Sequence, residues 1–152
     1  MKWWPLIGIT NYFTEKEKRD DCFRINPVLK NKVFKKSLHL FVIDVGNSNL
    51  LNFTIKALKA PQYNIHRFGI FFTETPKHAD LLIVLGPLNV KMKEPLMETI
   101  NQMPEDFGVL VINEENYIEN SINSLDIPNV IAVINKNISP NELLSVLLNI
   151  IR

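Results

Sequence analysis

Leu38-His39-Leu40-Phe41-Val42-Ile43, running straight into Asp44-Val45-Gly46-Asn47-Ser48-Asn49, is the stretch on which the fold turns. An apolar run broken only by His39 reads as a strand buried on both faces, the pattern of a parallel sheet. The polar run after it is a turn at that strand's carboxyl end. Asn49 to Lys59 then sets Leu51, Ile55 and Leu58 at helical spacing, with Asn49 or Ser48 expected as N-cap and Ala60-Pro61-Gln62 as the stop. Strand, turn and helix in that order open a βαβ series.

The series continues toward the carboxyl terminus. Ile65 to Phe72 reads as a second strand with Gly69 as a bulge, and Ala79 to Leu85 as a third, closed by Gly86-Pro87. A helix is predicted to start near Pro95, with Met92, Leu96, Ile100 and Met103 as its apolar stripe and Pro104 as its end. Val109 to Ile112 and Val130 to Ile134 are the fourth and fifth strands. Ser139-Pro140-Asn141-Glu142 carries a capping box with proline at the first helical position. The helix that follows has Leu143, Leu144, Val146, Leu147, Leu148, Ile150 and Ile151, so little polar face that it must be buried on more than one side. The expected fold is α/β: a doubly wound, mainly parallel sheet with helices on both faces, flavodoxin-like, its functional crevice at the carboxyl ends of the strands.

Toward the amino terminus the composition changes. Residues 1–40 hold nine Lys or Arg against four acids, a balance of +5, whereas the rest hold eight basic and twelve acidic side chains, a balance of −4. We expect a basic arm over 1–36 and an α/β domain over 37–152. The arm is a solvated leader, or it lies on a partner subunit or near anionic lipid headgroups. Trp3 and Trp4 are candidates for a partner or membrane contact, or for packing on the chain's own core.

Composition also excludes. In 152 residues, 46% hydrophobic and 22% charged, there is material for one soluble domain. A net charge of +1 gives no argument for nucleic acid. No run is apolar enough to span a bilayer, and the start does not read as a signal peptide, so the expected location is cytoplasmic. The one cysteine, Cys22, can form no internal disulfide and cannot supply the thiolates of a zinc site or iron–sulfur cluster.

The strand ends offer little chemistry by themselves. The loop Asp44 to Asn49 has neither a dinucleotide fingerprint nor a Walker A pattern. A phosphate on the free N–H groups of the following helix is open to any such fold. His39, His66 and His78 lack metal-ligand spacing, Ser48 lacks the context of a nucleophile, and Cys22 reads as a surface or packing thiol.

The order of the blocks says more. Ser37 to Asn49, Tyr63-Asn64-Ile65-His66-Arg67-Phe68-Gly69-Ile70, Thr75 to Pro87 and Gln102-Met103-Pro104 resemble the iron–sulfur small subunit of energy-converting nickel–iron hydrogenases and formate hydrogenlyases, and the 20 kDa (B-type) subunit of respiratory complex I. The resemblance implies a flavodoxin-like fold and, as partners, a hydrogenase-like or complex I-like large subunit with membrane subunits, hence a peripheral place on the cytoplasmic side of the membrane. It also implies four cysteines holding a 4Fe–4S cluster: a C-x-x-C after the first strand, one after the fourth, and one in a P-G-C-P-like loop before the last helix. The aligned positions here are Ser48, Leu51, about Glu115 and about Lys136, none a thiol, and the acidic residue after the second cysteine falls at Asn52. The expectation is a cluster-free homologue without cofactor, acting in structure, assembly or regulation. A stand-alone domain binding a flavin, nucleotide or other small ligand is the alternative. Leu51 is expected to fill part of the vacated space, and Glu115 and Lys136 to pair within about 4 Å.

Overall fold

A computed structural model describes residues 37–114 and 127–151. The first strand, β1 (Leu38–Asp44), sits near the middle of a five-stranded sheet whose strands all run parallel. Its neighbours are β2 (Ile70–Phe72) at one edge and β3 (Leu81–Leu85) on the other side, followed by β4 (Gly108–Asn113) and β5 (Val130–Asn135). The order β2-β1-β3-β4-β5 is that of a flavodoxin-like sheet, with its switch point between β1 and β3. Every residue of β3 and β4 is buried, as strands covered on both faces must be.

Three helices clothe the sheet among the described residues: α1 (Leu50–Leu58), α2 (Lys93–Asn101) and α3 (Pro140–Ile151). Leu51, Ile55 and Leu58 of α1 share one core with Leu143, Val146, Leu147 and Ile150 of α3 and with Leu38, Leu40, Ile83 and Leu110 of the strands. On the opposite face Leu96 and Ile100 of α2 close over Leu82, Val84, Val109 and Val111. The capping box forms as read: Glu142 N–H donates to Ser139 Oγ at 3.3 Å and Ser139 N–H to Glu142 Oε2 at 2.8 Å.

Four local expectations need correction. The second strand is only Ile70–Phe72, because Ile65–Phe68 forms a 3-10 turn bracketed by Asn64 (φ 41°) and Gly69 (φ 76°), both in the left-handed region. Gly69 thus ends a turn instead of bulging a strand. The third strand starts at Leu81, since Ala79 N–H is committed to Pro76 O of a second 3-10 turn, Pro76–His78. Helix α2 begins at Lys93, after a 3-10 turn over Val90–Met92 capped by the Asn89 side chain; Pro95 still lies in its first turn, where no N–H is required. Neither Asn49 nor Ser48 caps α1: Asn49 is left-handed at φ 70° and makes no side-chain cap bond, while the Ser48 hydroxyl turns elsewhere.

Candidate functional site

The carboxyl ends of β1 and β3 meet backbone to backbone. Gly86 (φ 88°) lies so close to the β1 loop that a Cβ there would fall 2.5 Å from Asn47 N and 2.7 Å from Asn47 Cα. Gly46 (φ 137°) faces Pro87 O in the same way, at 2.9 Å. Both positions demand glycine for conformation and for space. Val45 N–H to Leu85 O at 3.0 Å and Asn89 N–H to Val45 O at 2.9 Å complete the clamp.

Within this loop the backbone donors are taken by the chain's own carboxylates. Asp44 Oδ1 accepts from Gly46 N–H at 2.9 Å and Asn47 N–H at 3.1 Å, and Asp44 Oδ2 accepts from Asn52 Nδ2 at 2.6 Å. Burial pushes the Asp44 carboxyl up, but the bonds from Gly46, Asn52 and Asn47 outweigh it and hold the group below its ordinary value. The Asn47 side chain adds to that lowering without reaching hydrogen-bond geometry. Across the crevice Glu114, at the end of β4 and nearly buried, accepts on Oε1 from both Ser48 N–H and Ser48 Oγ, each at 2.8 Å. Gly46, Asn47 and Ser48 therefore offer no free N–H to a phosphate, and two carboxylates already occupy the place an anion would take.

Further along, Asn113 Nδ2 donates to Asn135 Oδ1 at 2.9 Å, tying the ends of β4 and β5. Asn113 Oδ1 is buried without a partner. Thr54 of α1 donates to Ile138 O at 3.1 Å, fixing the helix against the loop before α3.

The positions assigned by the resemblance do not form one donor set. Ser48 is engaged with Glu114, and Leu51 is 1% exposed in the core beneath α1. Lys136 Nζ bonds Glu142 Oε1 at 2.7 Å. Asn52 holds Asp44, so a carboxamide donor stands where the family places an acid. Glu115, Trp3, Trp4 and Cys22 lie outside the described residues, and with Glu115 goes its expected pairing with Lys136. A hydroxyl bound to a carboxylate, an aliphatic side chain and an ammonium are unsuited to ligating a 4Fe–4S cluster. Among the described residues no group of three or more His, Cys, Asp or Glu is placed to hold a metal. Asp44 and Glu114 are the functional residues that sequence reasoning passed over. For Glu114 the usable signal was its place directly after β4, one residue before the aligned position.

No protein-family model matches the chain. It is 31% identical over 81 residues to the probable membrane-bound hydrogenase subunit mbhJ of Pyrococcus furiosus, covering 53% of this chain and 48% of that one. It is 43% identical over 54 residues to the B-type subunit of the NADH-quinone oxidoreductase of Chlorobium limicola, covering 36% of this chain and 29% of that one. Matches span between 29% and 57% of the length of the curated relatives. A chain of the membrane-bound sulfane sulfur reductase, an archaeal respiratory membrane complex, shares the fold at a TM-score of 0.55 and 21% identity, over 83% of this chain and 76% of that one. Among the described residues no helix is long and apolar enough to cross a membrane. The chain is a homologue of the small subunits of membrane hydrogenase-like and complex I-like assemblies, formate hydrogenlyase subunit 7 included.

Proposed function

We propose that this chain is a cluster-free member of a membrane-associated hydrogenase-like or NADH:quinone oxidoreductase-like complex, keeping the small subunit's place in structure, assembly or regulation without carrying electrons itself. The reading rests on the Ser48–Glu114 contact. At the position where the resemblance puts the first cluster cysteine, a serine gives both its N–H and its hydroxyl to a carboxylate from the end of β4. That closes the space with an internal hydrogen bond. Leu51, at the second ligand position, belongs to the hydrophobic core. The expected partners are a large-subunit homologue and membrane subunits, which would hold the chain peripherally at the membrane.

The test is purification of the native assembly under anaerobic conditions. Co-migration with a large-subunit homologue, and no stoichiometric iron in the isolated chain, is the expected result. A free monomer would count against the quaternary reading, and stoichiometric iron against the cluster-free one. The same filled loop argues against a flavin or nucleotide domain, which needs donors for a phosphate. A flavin absorption band in the purified chain would reverse that judgement.

A further inference from the structure

The two faces of the sheet are not equally clothed. On the face covered by α2, Leu82, Val84 and Val109 are fully buried, but protection lapses over β1 and β2. Phe41 and Ile43 of β1 are half-buried, His39 is 40% exposed, and Phe71 of β2 is 36% exposed. In parallel register His39 stands beside Phe71, and their rings stack with centroids 5.5 Å apart; His66 tilts onto the same Phe71 ring at 5.2 Å. The cause is topological. The β2–β3 connection carries only the 3-10 turn Pro76–His78, where a doubly wound fold ordinarily places a crossover helix. Helices α1 and α3 both lie on the opposite face.

We infer that the amino-terminal arm, residues 1–36, covers this apolar face of β1 and β2. The arm joins the domain at residue 37, directly before β1, on the side of the sheet that lacks its helix. The other segment outside the described residues, 115–126, links β4 to β5, and a right-handed crossover keeps it at the far half. Reach is ample. Thirty-six residues extend about 54 Å even if fully helical, against about 23 Å for a strand as long as β1. The arm also brings the right chemistry, since Trp3, Trp4, Leu6, Ile7 and Ile9 are concentrated at its start. Burying such side chains against Phe41, Ile43 and Phe71 removes apolar surface from water on both partners. This inference does not depend on the proposed place in a complex.

The chain carries its own reporters, because its two tryptophans are Trp3 and Trp4 and its one cysteine is Cys22, all in the arm. In the full-length protein we expect tryptophan emission blue-shifted from that of the urea-unfolded chain, shielded from acrylamide and unchanged by dilution. Phe71→Asp should redden the emission and restore quenching with the far-UV circular dichroism unaltered. A bis-maleimide should link Cys22 intramolecularly to a Phe71→Cys thiol faster than to a Lys56→Cys thiol on the exposed side of α1. The cross-link decides the matter if Phe71→Asp fails to fold. Emission equal to that of the unfolded chain overturns the inference, as does emission indifferent to Phe71→Asp. Shielding that appears only with anionic vesicles would overturn it by assigning the arm to a membrane, and shielding lost on dilution by assigning it to a second copy. Cross-linking at residue 56 as fast as at residue 71 overturns it equally.

Discussion

Glu142 is the side chain whose environment is most completely described by its partners. The Lys136 hydrogen bond, followed by the Ser139 N–H and hydroxyl, pulls its pKa down from 4.5 to about 2. A carboxylate with a depressed folded-state pKa adds stability that is present above its unfolded value and is lost as pH falls through the folded one. The contribution should therefore disappear between pH 4.5 and about 2. Because the pair is partly open to solvent, we expect it to amount to about 1 kcal/mol. Chemical denaturation across that range should show the wild type losing about 1 kcal/mol more than Glu142→Gln. The Ser48–Glu114 contact is expected to behave differently, because Glu114 is nearly buried. Glu114→Ala should cost about 1.5–3 kcal/mol and Ser48→Ala about 1 kcal/mol, with the double mutant less destabilised than their sum. Strictly additive costs would mean that the two side chains do not stabilise one another. Neither partnership was fully legible in the sequence. The Ser139–Glu142 box is a local pattern and was read directly, whereas Glu114 lies sixty-six positions from Ser48 and only the sheet brings them together.

At the scale of elements, runs of apolar residues announced the strands reliably, since β1, β3, β4 and β5 were each marked by composition alone. Errors gathered where a short polar or aromatic segment lay between them. Residues Ile65 to Phe68 carry strand-forming side chains, yet Asn64 and Gly69 in the left-handed region wind them into a turn. Periodicity does not register that backbone choice. Glycine contrasts test the loop clamp. Gly86→Ala would bring its Cβ against Asn47 backbone at a positive φ, so it should destabilise by about 2 kcal/mol or more. Gly108→Ala meets chiefly the tip of the Ile131 side chain, which can rotate away, and should cost clearly less. Equal midpoint shifts in urea for the two variants would contradict this account. Leu51→Ala, in the core under α1, should cost about 2–5 kcal/mol. A loss below about 1 kcal/mol would show the site to be loosely packed.

For the whole molecule, two cores share one sheet, and β3 belongs to both. Its amides should exchange with solvent only through global unfolding. Those of β2, three residues at the sheet's edge, should exchange through local opening many-fold faster. Hydrogen-exchange mass spectrometry showing similar rates in the two strands would refute this hierarchy. The sheet order follows from parallel strands and right-handed connections, and the block order in the sequence pointed to the same topology. What the sequence pattern could not convey is the uneven covering of the faces, because a missing crossover helix leaves no residue of its own to read.

The carboxylate of Glu114 also constrains how this chain can change. Replacing Ser48 by cysteine, the first step back toward a ligand, would take one of two donors from a nearly buried acid before any other ligand existed to compensate. Replacing Glu114 first would leave the Ser48 N–H and hydroxyl without their acceptor. Each single step is thus selected against by stability alone, and recovery would need several coordinated substitutions. A short hydrogen bond of this kind acts as an evolutionary ratchet, holding the scaffold to its altered form.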